Sequence, residues 1–317
     1  MPKLIGIEEK YINGIKVDKE NDECFFNDEK HLYINKADGK NYISVTTLIG
    51  QYHEQFDADF WSSYKALEKI LDPELFSIVK KTLLAKKVFD PKLIYKLKID
   101  QELFDKEKQA ILDEYKSNNK EACDRGTAIH LEKELSFYNR NNFNFNKYGF
   151  KELGGEFDCK ENYFKLDLDR GVYPEFLISY IFPKADLRIS GQIDLLVKDG
   201  NDIYIIDWKT NKEIKKHSYY NKFTKKYNMM KFPVNNLQDC NFNHYQLQLS
   251  MYAFMLQLLH PEYNIKGLKI VHIDHDGKQH EYDCEYLKDE VKKMLKHYNK
   301  MRKINEKLDA IKPINIC

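Results

Sequence analysis

Residues 191–212 read GQIDLLVKDGNDIYIIDWKTNK, and the fold turns on how this stretch is paired. Two apolar, buried-looking runs flank a turn centred on Gly200, the pattern of a hairpin. Each run carries one aspartate, Asp194 in the first and Asp207 in the second. With Gly200-Asn201 at the turn, Asp194 stands directly opposite Asp207. With Asp199-Gly200 there, Asp194 faces Ile205 and Asp207 becomes its diagonal neighbour. Either register keeps both carboxylates on one sheet face. Directly opposed side chains have Cβ atoms only about 4.5–5.5 Å apart, and like charges there repel. A cation is therefore expected between them, and Mg²⁺ or Mn²⁺, which prefer oxygen ligands, suits the position. Lys209 lies two residues beyond Asp207 and shares its face. Two acids and a lysine on adjacent strands can hold a metal, polarise a phosphate, and orient or deprotonate a water. The structural alternative is a plain buried Asp–Lys pair, which would bury three charges without a functional return.

Outward from this hairpin the pattern stays readable. YPEFLISYIF (173–182) is a preceding strand, and HYQLQLSMYAFMLQLLH (244–260) is a following helix that stops at Pro261. LKIVHID and QHEYDCEYL form a second hairpin around the Asp276-Gly277 turn. The last helix carries Leu287, Val291, Leu295, Tyr298, Met301, Ile304 and Leu308 at three- and four-residue spacing, an amphipathic stripe. Upstream, a helix covers roughly 119–139, and the asparagine-rich NRNNFNFNKYG reads as a surface loop. Residues 57–118 read as largely helical, and residues 1–50 as short strands and turns, with Ser44 capping a helix from Val45. From 119 onward the order is helix, three strands, helix, two strands, helix, with no internal repeat.

With these residues in view, the chain resembles the PD-(D/E)XK nuclease superfamily, in its RecB-like branch. Ile193-Asp194 and Ile206-Asp207-Trp208-Lys209-Thr210 look like its core. Gly126-Thr127-Ala128-Ile129-His130 resembles its GxxxH motif, and Gln248-Leu249-Ser250-Met251-Tyr252 its QxxxY motif. A lone DxK carries little weight, whereas four signatures in the family's order and on its elements carry much. The IDWKT wording and the short QLSMY motif are most similar to the mitochondrial genome maintenance exonuclease group and its phage-type relatives. The resemblance spans roughly 119–300; residues 1–118 match it only loosely, through YISVTTLI.

The resemblance implies an α/β restriction-endonuclease-like core, a mixed sheet flanked by helices, over 119–317, with an N-terminal strand and helical extension over 1–118. It implies one or two Mg²⁺ or Mn²⁺ ions held by Asp194, Asp207 and His130, with the Trp208 backbone carbonyl completing the inner shell. A water would attack phosphorus in line, oriented by Lys209. Gln248 and Tyr252 would help position the DNA and the lysine. Glu175 sits where many relatives carry an acid near the metal; a solvated strand-edge glutamate is the alternative. Gly126 and His130 share a helix face, the glycine allowing close backbone approach and the imidazole offering a neutral nitrogen. His272, Asp274, His275 and Asp276 read as a strand end plus turn.

Residues 209–231 hold eight lysines and one acid, interleaved with His217, Tyr219, Tyr220, Phe223 and Tyr227. Lysines neutralise phosphates and aromatics stack on unpaired bases, the combination used for single strands. Lys212, Lys215, Lys216, Tyr219 and Tyr220 are accordingly expected DNA contacts, and Arg125 and Thr210 are placed with them.

Bulk properties set the outer limits. Hydrophobic content of 42% and charged content of 32% fit a soluble globular chain. No apolar run reaches the ~18 residues needed to span a membrane, and the N-terminus reads as neither a signal peptide nor a presequence. The net charge of +1 leaves any nucleic-acid footprint local. Six widely spaced cysteines without a CxxC argue against an iron–sulfur cluster and for a reducing cytoplasm. The resemblance to the exonuclease group implies as partner DNA with single-stranded ends, cut by an exonuclease acting in replication, recombination or repair. The Asn, Lys, Ile and Tyr content hints at an AT-rich genome such as a phage's. An endonuclease acting on DNA or RNA and an inactive binding module are the rival readings.

Overall fold

The computed structural model describes residues 10–138, 145–148, 150, 153, 157–159, 166–222 and 224–311. Six short strands come first: β1 (Lys10–Ile12), β2 (Ile15–Val17), β3 (Lys19–Glu20), β4 (Cys24–Asn27), β5 (Leu32–Asn35) and β6 (Asn41–Ser44). Ser44 then caps α1 (Val45–Gly50), its hydroxyl accepting from the Thr47 amide at 3.0 Å. Three helices follow, α2 (Ala58–Ile70), α3 (Pro73–Lys86) and α4 (Lys92–Lys96). Asp57 and Asp72 cap the first two, and Pro73 opens α3 at the position where a missing N–H costs nothing.

Where two separate helices were expected, a single one, α5 (Gln101–Tyr138), runs for 38 residues. The polar stretch KSNNKEACD reads as a break because it lacks apolar periodicity. It contains no proline, however, and as a solvent-exposed helical segment it needs no buried stripe. Of the asparagine-rich stretch, Phe145–Tyr148 form a 3₁₀ turn with both aromatic ends buried, and most of the rest lies outside the described residues.

The remaining elements are β7 (Gly171–Phe182), β8 (Leu187–Asp199), β9 (Asp202–Lys209), the small hairpin β10 (Tyr220–Asn221) and β11 (Lys226–Tyr227), α6 (Asn241–Leu259), β12 (Asn264–Ile273), β13 (Gln279–Asp283) and α7 (Lys288–Ile311). Nine of the described strands build a mixed sheet in the order β13-β12-β9-β8-β6-β5-β4-β3, with β7 antiparallel to β8, while β1 with β2 and β10 with β11 form separate two-stranded pairs. Strands β9 and β12 are parallel, as a connection through α6 permits. This is the α/β architecture that the sequence predicts.

Alternation along β9 divides the core. Ile203 and Ile205 pack against α6, with Leu247, Met251 and Met255 in the same cluster. Tyr204, Ile206 and Trp208 point the other way, onto Phe137 of α5 and Phe145, Tyr148 and Phe150. Of the expected stripe on α7, Val291 and Leu295 are buried, whereas Met301, Ile304 and Leu308 are exposed.

Two compact units emerge, Met1–Glu54 with Ile129–Cys317, and Gln55–Ala128. The second has its own core of Phe60, Leu67, Phe76, Leu83, Ile94, Phe104 and Ile111. These limits differ from a division at residue 118, because β6 pairs in parallel with β8 and draws the N-terminal strands into the sheet. Cys24, Phe26, Tyr33 and Tyr42 pack with Leu177 of β7, and the buried Asn21 amide donates to the Leu177 carbonyl at 3.1 Å. No helix among the described residues is long and apolar enough to cross a membrane.

Candidate active site

The hairpin adopts the first of its two possible registers. Leu195 faces Ile206, and Asp199 faces Asp202 across a turn in which Gly200 takes φ of +58°. The same offset sets Asp194 opposite Asp207. On the other side of β8, Pro174 faces Leu195 and Phe176 faces Ile193, which sets Glu175 opposite Asp194. Three carboxylates thus occupy one rung across three neighbouring strands, and all three are buried. Glu175 departs from strand geometry, with φ of +49°. A non-glycine residue held there costs on the order of 1–3 kcal/mol, and such strain gathers at functional sites.

His130 reaches this rung from α5. Its Nδ1 lies 3.3 Å from Glu175 Oε1 and 3.6 Å from Asp194 Oδ1, and its Nε2 lies 3.2 Å from the Trp208 carbonyl oxygen. The other Asp194 oxygen accepts from the Trp208 amide at 2.7 Å. His130, Glu175 and Asp194 offer ligand atoms all within 4.8 Å of one another. On the far side, Lys209 Nζ sits 2.7 Å from Asp207 Oδ2. The Gln248 amide bridges the pair: its oxygen accepts from Lys209 at 3.4 Å, and its nitrogen donates to Asp207 at 3.4 Å and to the Tyr252 hydroxyl at 3.2 Å.

Three contributors escaped the sequence reading. Lys19 of β3 reaches Glu175 at 3.5 Å and Glu134 at 3.4 Å. Lys209 Nζ lies over the Tyr245 ring, 4.7 Å from its centre. Gly191 leaves room for Tyr252, since a Cβ there would meet Tyr252 Cε1 at 2.8 Å and its hydroxyl at 3.0 Å. Lys19 carries no local signal, being 156 residues from its partner. Tyr245 had a readable one, because it sits three residues before Gln248 on the same helix.

The electrostatics call for a cation. Burial, then the charge on Asp207, pushes the Asp194 carboxyl up to about 8. Burial works against a charged His130, but Asp194, Glu175 and Asp207 outweigh it and push the imidazole up to about 9. Burial likewise works to raise Glu175, yet His130 and Lys19 hold it below the usual carboxylate range. Lys209 stays above its ordinary value against its own burial, through Asp207 and Asp194. An imidazolium thus stands where negative charge is densest.

Gly126 and Arg125 lie one turn before His130 along α5, within the helical unit. Thr210 directly follows β9 and is half-buried. Lys212 is exposed. Lys215 is anchored by its backbone, its amide donating to Asn241 Oδ1 at 2.7 Å. Lys216 lies over the Phe242 and Tyr282 rings. Tyr219 and Tyr220 stand exposed at the β10–β11 hairpin, where Tyr220 meets Tyr227 edge-on; Phe223 lies outside the described residues. None of these lysines and tyrosines forms a direct contact with the carboxylate rung among those described. His272 is buried on β12, its Nε2 2.6 Å from the Asn211 carbonyl, and Asp274 holds the following turn.

Comparison with known proteins bears on this geometry. No curated protein matches the chain. Among solved structures, the crystal structure of SSO0001 is similar at 14% identity over 81% of this chain and 74% of its own, with a TM-score of 0.32. The family comparison is firmer, covering residues 74–314 and with them the rung, His130, Lys209 and Gln248. The chain belongs to the PD-(D/E)XK nuclease superfamily, which makes it a metal-dependent nuclease acting on nucleic-acid phosphodiesters.

Proposed function

We propose that this nuclease is a DNA exonuclease of the RecB-like branch that takes single-stranded ends. The observation that carries its catalytic part is the single rung of Glu175, Asp194 and Asp207, with His130 at one side and Lys209 at the other. The choice of DNA ends rests on the resemblance of IDWKT and QLSMY to the mitochondrial genome maintenance exonucleases and on the exposed lysines and tyrosines after β9.

The donor set fits a hard divalent ion. Carboxylate oxygens dominate, a backbone carbonyl stands beside them, and Asp194 lacks enough positive charge to ionise at its ordinary value. Asp194, Asp207, Glu175, His130 and the Trp208 carbonyl would hold one or two Mg²⁺ or Mn²⁺ ions. Such an ion would supply a Lewis acid for the phosphate and would lower the cost of deprotonating a water. Lys209 orients that water for in-line attack and meets the charge developing on the phosphate oxygens. Gln248 fixes Lys209 against Asp207, and Tyr252 fixes Gln248. The segment from Lys212 to Tyr220 carries the strand, lysines on phosphates and tyrosines on bases. The wide spacing of the cysteines favours a reducing, cytoplasmic setting for the reaction.

Cleavage of end-labelled single- and double-stranded DNA, linear and circular, with Mn²⁺, Mg²⁺ or EDTA, tests this reading. Metal-dependent loss of linear single strands with circles spared is expected, and the order of label release gives the polarity. Cut circles would make it an endonuclease, and absence of any cleavage, RNA included, would point to a binding module.

A further inference from the structure

A second group of metal-type donors lies outside the carboxylate rung. His53 follows α1, and Asp239 and His244 flank the start of α6. Ligand atoms from the three lie within 4.8 Å of one another. We propose that His53, Asp239 and His244 form a binding site for a nitrogen-preferring transition ion, with Zn²⁺ the best fit.

The donor chemistry selects the ion. Two imidazoles and one carboxylate make a three-ligand zinc set that leaves a fourth position for water. Mg²⁺ and Ca²⁺ demand oxygen ligands and are poorly served here.

The surroundings already orient the donors. The Glu54 amide donates to Asp239 Oδ2 at 2.9 Å, and Asp239 Oδ1 lies 2.7 Å from His244 Nε2. His53 Nδ1 lies 3.0 Å from the Glu54 carbonyl oxygen, so this nitrogen carries the proton and Nε2 is left as the donor atom. Fixing one ring nitrogen on a backbone carbonyl is the usual support for a ligating histidine. The two rings stack at 4.2 Å with 18° between their planes. An ion bound there would take the place of the hydrogen bond between His244 and Asp239.

Access is also provided. All three side chains are partly exposed, and Asp239 borders a cavity of about 330 Å³ lined as well by Glu54, Asn228, Met229 and Lys231.

The site shares no ligand with the carboxylate rung, yet His244 lies one turn before Gln248 on the same face of α6. An ion there ties the segment just before Gln55 to the helix that carries Gln248 and Tyr252.

Metal content and calorimetric titration with Zn²⁺, in an Asp194→Asn/Asp207→Asn background that disables the rung, test the site. About one Zn²⁺ per chain is expected, with a Co²⁺ visible spectrum of nitrogen-containing, low-coordinate type, and excess Mg²⁺ should not compete. His53→Gln and His244→Gln should each weaken binding about 100-fold or more while far-UV circular dichroism is unchanged. His53 is partly exposed, so its variant carries the test if that at His244 misfolds. Failure of the disabled protein to bind Zn²⁺, or undiminished binding in the folded histidine variants, would overturn the proposal.

Discussion

His130 and Asp194 keep protons that an ordinary imidazole and an ordinary carboxyl release near 6.5 and 3.8. Both folded values are raised, to about 9 and about 8, so each group's contribution to stability is full below its unfolded value and drains away as pH climbs through the folded one. These two groups should therefore cost the metal-free protein melting temperature as pH climbs from 3.8 to about 9, Asp194 between 3.8 and about 8 and His130 between 6.5 and about 9, and Mn²⁺ should flatten that slope; a flat slope without metal would count against the charge balance described. Asp207→Ala and Lys209→Ala should each abolish cleavage with the circular dichroism spectrum retained, and retained cleavage in either purified variant would sink the proposed roles. Gly191→Ala forces a methyl against Tyr252 Cε1 and should cost about 1–3 kcal/mol in denaturant titrations, with a further loss of activity as Gln248 shifts. At this scale Asp194, Asp207 and Lys209 were legible because charge inside two apolar strands is expensive and therefore conspicuous. The backbone strain at Glu175 was not, since nothing in Pro174-Glu175-Phe176 specifies a left-handed residue.

Helices and strands were legible wherever burial wrote a period into the sequence. Strands β7, β8, β9 and β12 and helix α6 fall where their apolar runs predict. The fusion of two expected helices into α5 escaped notice because an exposed helix leaves no stripe to read. On α7 the reverse holds, as the stripe continues past Leu295 over turns that bury little of it. The β10–β11 hairpin is where the proposed preference for single strands can be probed. Tyr219→Ala and Tyr220→Ala should each weaken single-strand binding by about 1–3 kcal/mol if the rings stack on bases. Neutralising Lys212, Lys215 or Lys216 should make the salt dependence of binding shallower, by about 0.7 in slope for each phosphate no longer paired with a lysine. Fluorescence anisotropy across a salt series, in EDTA to prevent cleavage, reads both; unchanged affinity would move the strand's path elsewhere.

On the scale of the whole chain, the sequence marked the nuclease core but not the debt that core owes to its first strands. Residues 1–118 read as an extension because β1–β6 are short and polar-flanked, and strand partners distant in sequence leave no local trace. The parallel pairing of β6 with β8 and the packing of Cys24, Phe26, Tyr33 and Tyr42 on Leu177 join them to the sheet. A chain beginning at residue 119 should accordingly be insoluble or unfolded by circular dichroism. A cooperatively melting, soluble product from that truncation would restore the division at residue 118.

The rung of three acids has one more consequence, for assembly. A slip of one residue in either pairing of β8 turns a carboxylate to the opposite face, toward the apolar cluster that holds Phe137, Phe145 and Val271. Only the native alignment then presents all three together, so a divalent ion would act as a checksum on the sheet, rewarding correctly threaded molecules and passing over the rest.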